Sequence, residues 1–170
     1  MGFGPEHQRW IVINAFMIPV VVNALLNGSI AWLSSTGEKT VPLFSIPLLQ
    51  KPSMVSDTLG TLAILPFTTA LVVGAAIRRE KRLGRLAPIT NQSALGRLLA
   101  RMPVSPIRRA GRFADTSLAL LGPVSLLILE LGNVGGITRM SFVIYKIILG
   151  VALGLVVTPV IAVAAMGEPQ

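Results

Sequence analysis

Four long apolar stretches constrain this chain more than any other feature of its sequence. They run approximately over residues 10–33, 59–77, 116–132 and 141–165, and each is close to the roughly 20 residues that cross the hydrocarbon core of a bilayer. A soluble amphipathic helix returns to polar residues every three or four positions, whereas these stretches do not. The sequence therefore predicts an all-α integral membrane protein, a four-helix bundle forming a single membrane domain over residues 1–170.

The composition agrees with a membrane environment. Charged residues make up 13% of the 170 residues and hydrophobic residues 52%, whereas soluble domains carry roughly 25% charged residues. The first apolar stretch is longer than the roughly 7–15 residues found in a cleavable signal peptide, so we expect it to stay in the mature chain. The chain has no cysteine, which excludes disulfides and thiolate metal sites.

The positive charge is concentrated in one loop. The formal net charge is +8, and ten of the fifteen Lys and Arg residues lie between Arg78 and Arg112. Basic loops are retained on the cytoplasmic side of a membrane. We therefore expect residues 78–115 to form a cytoplasmic loop and both termini to be cytoplasmic. The expected location is the plasma membrane, which is the inner membrane of a bacterium.

A short interfacial helix is predicted inside this cytoplasmic loop. Apolar side chains recur there at intervals of three and four residues, as on one face of a helix. They belong to Leu95, Leu98, Leu99 and Met102. Arginines nearby would contact anionic lipid headgroups, each contributing about 1 kcal/mol. The candidates for this membrane-surface role are Arg97, Arg101, Arg108 and Arg109. The alternative is a solvated basic loop that only sets the topology.

The loop between the first two apolar stretches carries three prolines, Pro42, Pro47 and Pro52. Proline lacks a backbone N–H and breaks helices, so a regular element is disfavoured here. Two apolar tetrads, residues 41–44 and 46–49, either lie in the membrane interface as a short cap or belong to an irregular loop. Loop statistics favour the irregular loop.

Two opposite charges are predicted to pair in the outer half of the membrane. Glu130 precedes the turn at Gly135 and lies about 8 Å below the outer edge at a rise of ~1.5 Å per residue. Lys146 returns to the same depth on the fourth helix. An unpaired charge at the centre of a membrane helix costs about 2.5–3.5 kcal/mol, so we expect the two residues to be partners.

Three further polar residues are expected at a similar level. Asn23 and Asn27 share one face of the first helix, and Asp57 lies near the start of the second. With Glu130 and Lys146 they form a candidate ligand-binding cluster for an ion, a proton or a small polar solute. In the alternative, the ion pair and the amides only fix helix register, while Asp57 caps the second helix.

Glycines on the fourth helix predict a close helix contact. Gly150 and Gly154 form the spacing of small residues that lets membrane helices approach each other. The spacing does not distinguish a contact within the chain from one between protomers.

Catalytic and cofactor motifs do not occur in this sequence. The single histidine, His7, precedes the first apolar stretch, so the chain alone cannot supply a bis-histidine haem site or a histidine-rich metal site. Neither a P-loop nor a dinucleotide-binding motif occurs. The basic loop contains one aromatic residue, Phe113, and so lacks a stacking platform for nucleic acid. We expect no enzymatic activity, no cofactor, no metal and no nucleic-acid partner.

Two functional hypotheses follow. In the first, the polar cluster of a small integral membrane protein binds or translocates an ion or a small polar solute. In the second, the chain is a non-catalytic accessory or scaffold subunit of a larger membrane complex, or forms a homo-oligomer. In both, the surrounding partner is the lipid bilayer with its anionic headgroups.

Overall fold

The computed structural model describes residues 5–45, 53–86, 102–103, 105–132 and 135–167. Four long helices dominate this part of the chain. Each is long and apolar enough to cross a membrane, with a mean hydropathy between 1.5 and 2.7 over its most apolar window. The protein is therefore a multi-pass membrane protein, and the prediction of a mainly helical chain with four apolar spans is confirmed.

The first helix, α1, is continuous but changes its hydrogen-bond pattern along its length. It begins as an α-helix over Pro5–Trp10, continues as a π-helix over Ile11–Met17 and returns to an α-helix over Ile18–Ser34. Pro19 comes just after the π-helical segment, and its missing N–H removes one backbone hydrogen bond from the continuous helix.

The other three helices are regular. They are α2 over Met54–Arg82, α3 over Pro106–Leu131 and α4 over Arg139–Met166. Both α2 and α3 begin before the apolar stretches that predict them, because polar and basic residues at the membrane boundary continue the helix. The predicted interfacial helix and its Arg97 and Arg101 lie outside the described residues.

Two short strands join the loops at one end of the bundle. Strand β1, Thr40–Pro42, pairs antiparallel with β2, Gly136–Thr138, and places Val41 opposite Ile137. The irregular loop favoured from the sequence is therefore wrong for residues 40–42. Pairing the two loops satisfies backbone groups that would otherwise lie unpaired beside the membrane.

We call this end of the bundle the strand end and the opposite end, where α2 ends and α3 begins, the basic end. At the strand end, the guanidinium of Arg139 stacks on the ring of Trp32, 3.8 Å from its centroid. Its Nη2 also donates to the Trp32 carbonyl oxygen at 2.8 Å. This contact joins the beginning of α4 to the end of α1.

The helices α2, α3 and α4 share a common apolar core, whereas α1 packs along another flank of α4. In the core, Leu62 of α2 and Leu153 of α4 are buried in one cluster, against which Leu118 of α3 packs. Helix α4 therefore lies between α1 and the other helices, so its residues decide how α1 is held.

Candidate functional site

Lys146 is the most deeply buried charged residue in the described part of the chain, with 1% of its surface exposed. Its ammonium group forms an ion pair with the carboxylate of Asp57 on α2. It also donates to the hydroxyl of Thr61 and, at 3.4 Å, to the backbone carbonyl of Asp57. A lysine ammonium has three donors, and a single turn of α2 supplies three acceptors.

The turn of α2 that receives Lys146 is held by its own hydrogen bonds. Asp57 and Thr61 are four residues apart and share a helix face, and the Thr61 hydroxyl donates to the Asp57 carbonyl at 2.8 Å. Beside them, the Thr58 hydroxyl donates to the Met54 carbonyl at 2.6 Å. A hydroxyl has only one proton to donate. In the 2.6 Å hydrogen bond between Thr58 and Tyr145, the tyrosine hydroxyl is therefore the donor. We call Asp57, Thr58, Thr61, Tyr145 and Lys146 the polar latch.

The predicted pairing of Glu130 with Lys146 is wrong. Glu130 lies in the last turn of α3 and is exposed, whereas Lys146 faces α2 and pairs with Asp57. The two residues were assigned to one depth, but depth does not determine the direction in which a side chain leaves its helix. Nor does Asp57 cap α2, since the cap is Ser53, whose hydroxyl accepts from the Ser56 N–H at 3.2 Å.

The two asparagines of α1 face α4 at its two glycines. A Cβ atom on Gly150 would lie 2.6 Å from Cγ of Asn27, and one on Gly154 would lie 3.3 Å from Cγ of Asn23. The amide of Asn27 donates to the Asn23 carbonyl at 2.9 Å. The close contact predicted from the glycine pair therefore occurs within the chain, between α4 and α1.

Four of the five predicted cluster residues thus lie along one stripe of α4: Lys146 belongs to it, and Asp57, Asn23 and Asn27 contact it. Lys146, Gly150 and Gly154 are spaced by four residues, and Thr158 continues the series toward the basic end. Asp57 reaches this stripe from α2, and the two asparagines reach it from α1. Sequence reasoning did not find Thr61 or Thr158, although the same interval of four after Asp57 and Gly154 points to them.

A groove of about 350 Å³ lies between α1 and α2, beside this stripe. Apolar clusters lie at both ends of the groove. Ala15 and Ile77 belong to the cluster near the basic end, and Ala31 and Val55 belong to the one near the strand end. Between these clusters, residues of both α1 and α2 line the groove. Thr158 of α4 lies at the bottom of the groove.

Thr158 is the unusual member of the groove. It is fully buried, and its hydroxyl has no hydrogen-bond partner within the described structure. A helical threonine commonly donates to the carbonyl four residues earlier, which here belongs to Gly154. Leaving a buried hydroxyl unpaired costs about 1–3 kcal/mol, so a polar group entering the groove would recover that loss.

The π-helix of α1 borders the same groove. Trp10, Asn14 and Ile18 line it from α1, and they immediately precede, occupy and follow the π-helical segment Ile11–Met17. The Asn14 amide donates to the Trp10 carbonyl at 3.2 Å. Irregular turns of this kind occur frequently at functional sites.

Basic residues collect where α2 ends and α3 begins. Lys81 is buried and donates to the Ala165 carbonyl at 3.1 Å, while Arg109 donates to the Pro103 carbonyl at 3.1 Å. Arg108, the other described candidate for membrane-surface contact, is exposed. Across the described residues, no three His, Asp or Glu side chains gather as a metal site requires.

We expect Asp57→Asn to destabilise the protein by about 3–5 kcal/mol, because it leaves the buried Lys146 ammonium without its counter-charge. Lys146→Met should cost less, since 18% of the Asp57 side chain remains exposed. The double variant should recover part of the loss, because no unpaired charge remains. Unfolding in mixed detergent micelles, followed by circular dichroism, measures all three free energies.

Glu130→Gln is the matched control, and its effect should stay within about 0.5 kcal/mol because the side chain is exposed. The ion pair would be contradicted if the double variant lost as much free energy of unfolding as the two single variants together. It would also be contradicted if Glu130→Gln were as unstable as Asp57→Asn.

Comparison with known proteins gives no match among protein families, curated proteins or solved structures. Two features of the geometry bear on function. All hydrogen-bond donors of Lys146 in the polar latch are used, whereas the Thr158 hydroxyl in the groove has no partner within the described structure.

Proposed function

We propose that the chain is a non-catalytic binding protein of the bacterial inner membrane, which holds a small molecule in the groove between α1 and α2. The observation that carries this proposal is the buried Thr158 hydroxyl, which lies at the bottom of the groove without a hydrogen-bond partner. Ligand pockets combine a mostly apolar lining with a few polar groups that fix orientation. Asn23 also lines the groove, with its amide nitrogen packed against Gly154.

The polar latch supports a structural role better than an ion or solute site. All three ammonium donors of Lys146 are taken by Asp57 and Thr61. The amide of Asn27 lies directly against Gly150. A ligand at this position would have to displace contacts that hold α1 and α2 on α4. Binding within the groove requires no such displacement.

The opening of the groove indicates how a ligand enters. Val22, Leu26 and Val72 line it and are exposed, so the groove opens sideways, toward the lipid that surrounds the bundle. A ligand dissolved in the bilayer enters the groove from that side. This geometry favours binding from the membrane over translocation across it.

The proposed orientation places the basic end in the cytoplasm, together with both termini. The exposed arginines at that end, on α2, α3 and the turn after α2, are Arg79, Arg82, Arg85, Arg108 and Arg112. Positive charge flanking membrane helices is enriched on the cytoplasmic side. Anionic headgroups of that leaflet attract such side chains.

A second candidate function is that of an accessory or scaffold subunit, and the same exposed arginines favour it. They form a positively charged surface that suits an acidic partner protein. The glycine pair does not add to this candidate, because Gly150 and Gly154 already contact α1 within the chain. A homo-oligomer would have to use a different surface.

Filling the groove should abolish ligand binding. Ala76→Phe places a ring at a lining position, whereas Ala75→Phe, at the adjacent exposed position outside the lining, is the matched control. We expect the wild type and Ala75→Phe, extracted from membranes with their surrounding lipid, to retain a small molecule that Ala76→Phe loses. Native mass spectrometry measures the bound mass.

Equal retention by both variants, or a wild type that carries phospholipid alone, would contradict binding in the groove. A stoichiometric partner protein in the same spectra, with an empty groove, would favour the accessory subunit instead.

Reporters inserted in two turns should separate the two sides of the membrane. Gly84 at the basic end and Gly37 at the strand end both have positive φ, 68° and 89°, and both lie in exposed turns that tolerate insertion. A reporter after Gly84 should be cytoplasmic, and one after Gly37 should not. The activities of a cytoplasm-dependent and an export-dependent reporter measure this, and the reverse result would overturn the orientation.

A further inference from the structure

We infer that the ligand of the groove is a neutral, lipid-soluble carbonyl compound, such as a quinone head group with an apolar tail. This inference rests on the proposed binding role of the same groove and names the chemical class of its ligand.

The lining of the groove selects a neutral molecule. None of the described side chains that line it is charged. A carboxylate or phosphate held there would meet no cation and would lose its hydration, and an ammonium would meet no carboxylate. Ionised fatty acids and phospholipid headgroups are therefore disfavoured as occupants.

The depth of the polar groups selects a molecule that enters the hydrocarbon core entirely. Thr158 lies eight residues before the end of α4 at Met166, which corresponds to about 12 Å along the helix. Asn23 lies eleven residues before the end of α1 at Ser34, which corresponds to about 16 Å. Neither residue is at a membrane surface, where the polar part of a phospholipid stays.

The hydrogen-bonding groups select an acceptor. The Thr158 hydroxyl has an unused proton. The amide nitrogen of Asn23 is already packed against Gly154, one turn away from Thr158 on α4, so the Thr158 hydroxyl is the donor offered to a ligand. Both side chains line the groove. A carbonyl oxygen, which has lone pairs and no proton, accepts from the Thr158 hydroxyl.

The remaining lining accommodates a ring and a tail. Trp10 borders the groove near the basic end, and an aromatic side chain packs favourably against a planar ring. The volume of about 350 Å³ is at the lower end of the range for small-molecule pockets. A long tail would leave through the exposed side, past Val22 and Leu26.

The probe for this inference is decylubiquinone, a neutral quinone with a ten-carbon tail. The chain has two tryptophans, and Trp32 lies at the strand end, so Trp32→Phe leaves Trp10 as the only tryptophan, excited selectively at about 295 nm, while keeping an aromatic ring under Arg139. In the detergent-solubilised full chain, we expect the quinone to quench Trp10 fluorescence to a saturable limit.

Two threonine variants make the test specific. Thr158→Val removes the unpaired hydroxyl with little change of shape and should weaken quinone binding about fivefold or more. Thr68→Val, also in the lining, should leave binding unchanged, because its hydroxyl already donates to the Ile64 carbonyl at 2.8 Å. Without ligand, Thr158→Val should be as stable as wild type or more so, which separates lost binding from lost folding.

Non-saturable quenching, or equal affinity of the Thr158→Val and wild-type chains, would overturn the inference. Tighter binding of ionised palmitate than of the quinone would overturn its neutral class. If the quinone fails while native spectra still show a small molecule displaced by Ala76→Phe, the ligand class is wrong and the binding role stands. If both fail, the proposed function falls with it.

Discussion

The close approach of α1 to α4 is the contact on which the other features of this structure depend. Asn23 and Asn27 lie against Gly154 and Gly150, where even one additional carbon atom would not fit. An amide facing lipid has no hydrogen-bond partner and is costly. Glycine on α4 provides the space in which both amides leave the lipid. The same contact sets the position of α1, and therefore the width of the groove on its other side.

Helix α4 connects to α2 by a different kind of interaction. A single buried ammonium, that of Lys146, reaches across to one turn of α2 and finds all of its acceptors there. Buried ion pairs are weak sources of net stability but strongly disfavour arrangements in which one charge is left alone. The polar latch therefore fixes which face of α4 meets α2. With α1 on one flank and α2 on another, a gap between them follows wherever neither helix carries side chains large enough to close it.

The sequence predicts the four membrane-spanning helices because hydropathy over some twenty residues is a strong signal. It also predicts that the side chains of Asn23, Asn27 and Lys146 face inward, because polar and charged side chains are costly in contact with lipid. It does not predict the partner of Lys146. The depth of a residue in the membrane follows from its position along the helix, whereas the direction of its side chain around the helix axis depends on how the helices pack. The strand pair is missed for another reason: three residues beside a proline, Thr40–Pro42, are too few to show the alternation of a strand. The groove depends on the path of α1 through a π-helix at Ile11–Met17, for which the sequence offers no recognised pattern.

The contact between α1 and α4 is tested most directly by cross-linking. The chain has no cysteine, so a disulfide between Gly28→Cys and Ile147→Cys reports only the designed pair. A Cβ atom on Gly28 would lie 3.0 Å from Cγ1 of Ile147, and this separation suits a disulfide after a small adjustment. In membranes, proteolysis in the basic loop should leave the two halves joined until a reductant is added. The pair of Leu25→Cys, exposed on α1, with Ile147→Cys should give halves that separate at once. The contact between α1 and α4 would be contradicted if the halves of the Gly28→Cys and Ile147→Cys chain separated without reductant, or if both cysteine pairs held the halves together equally.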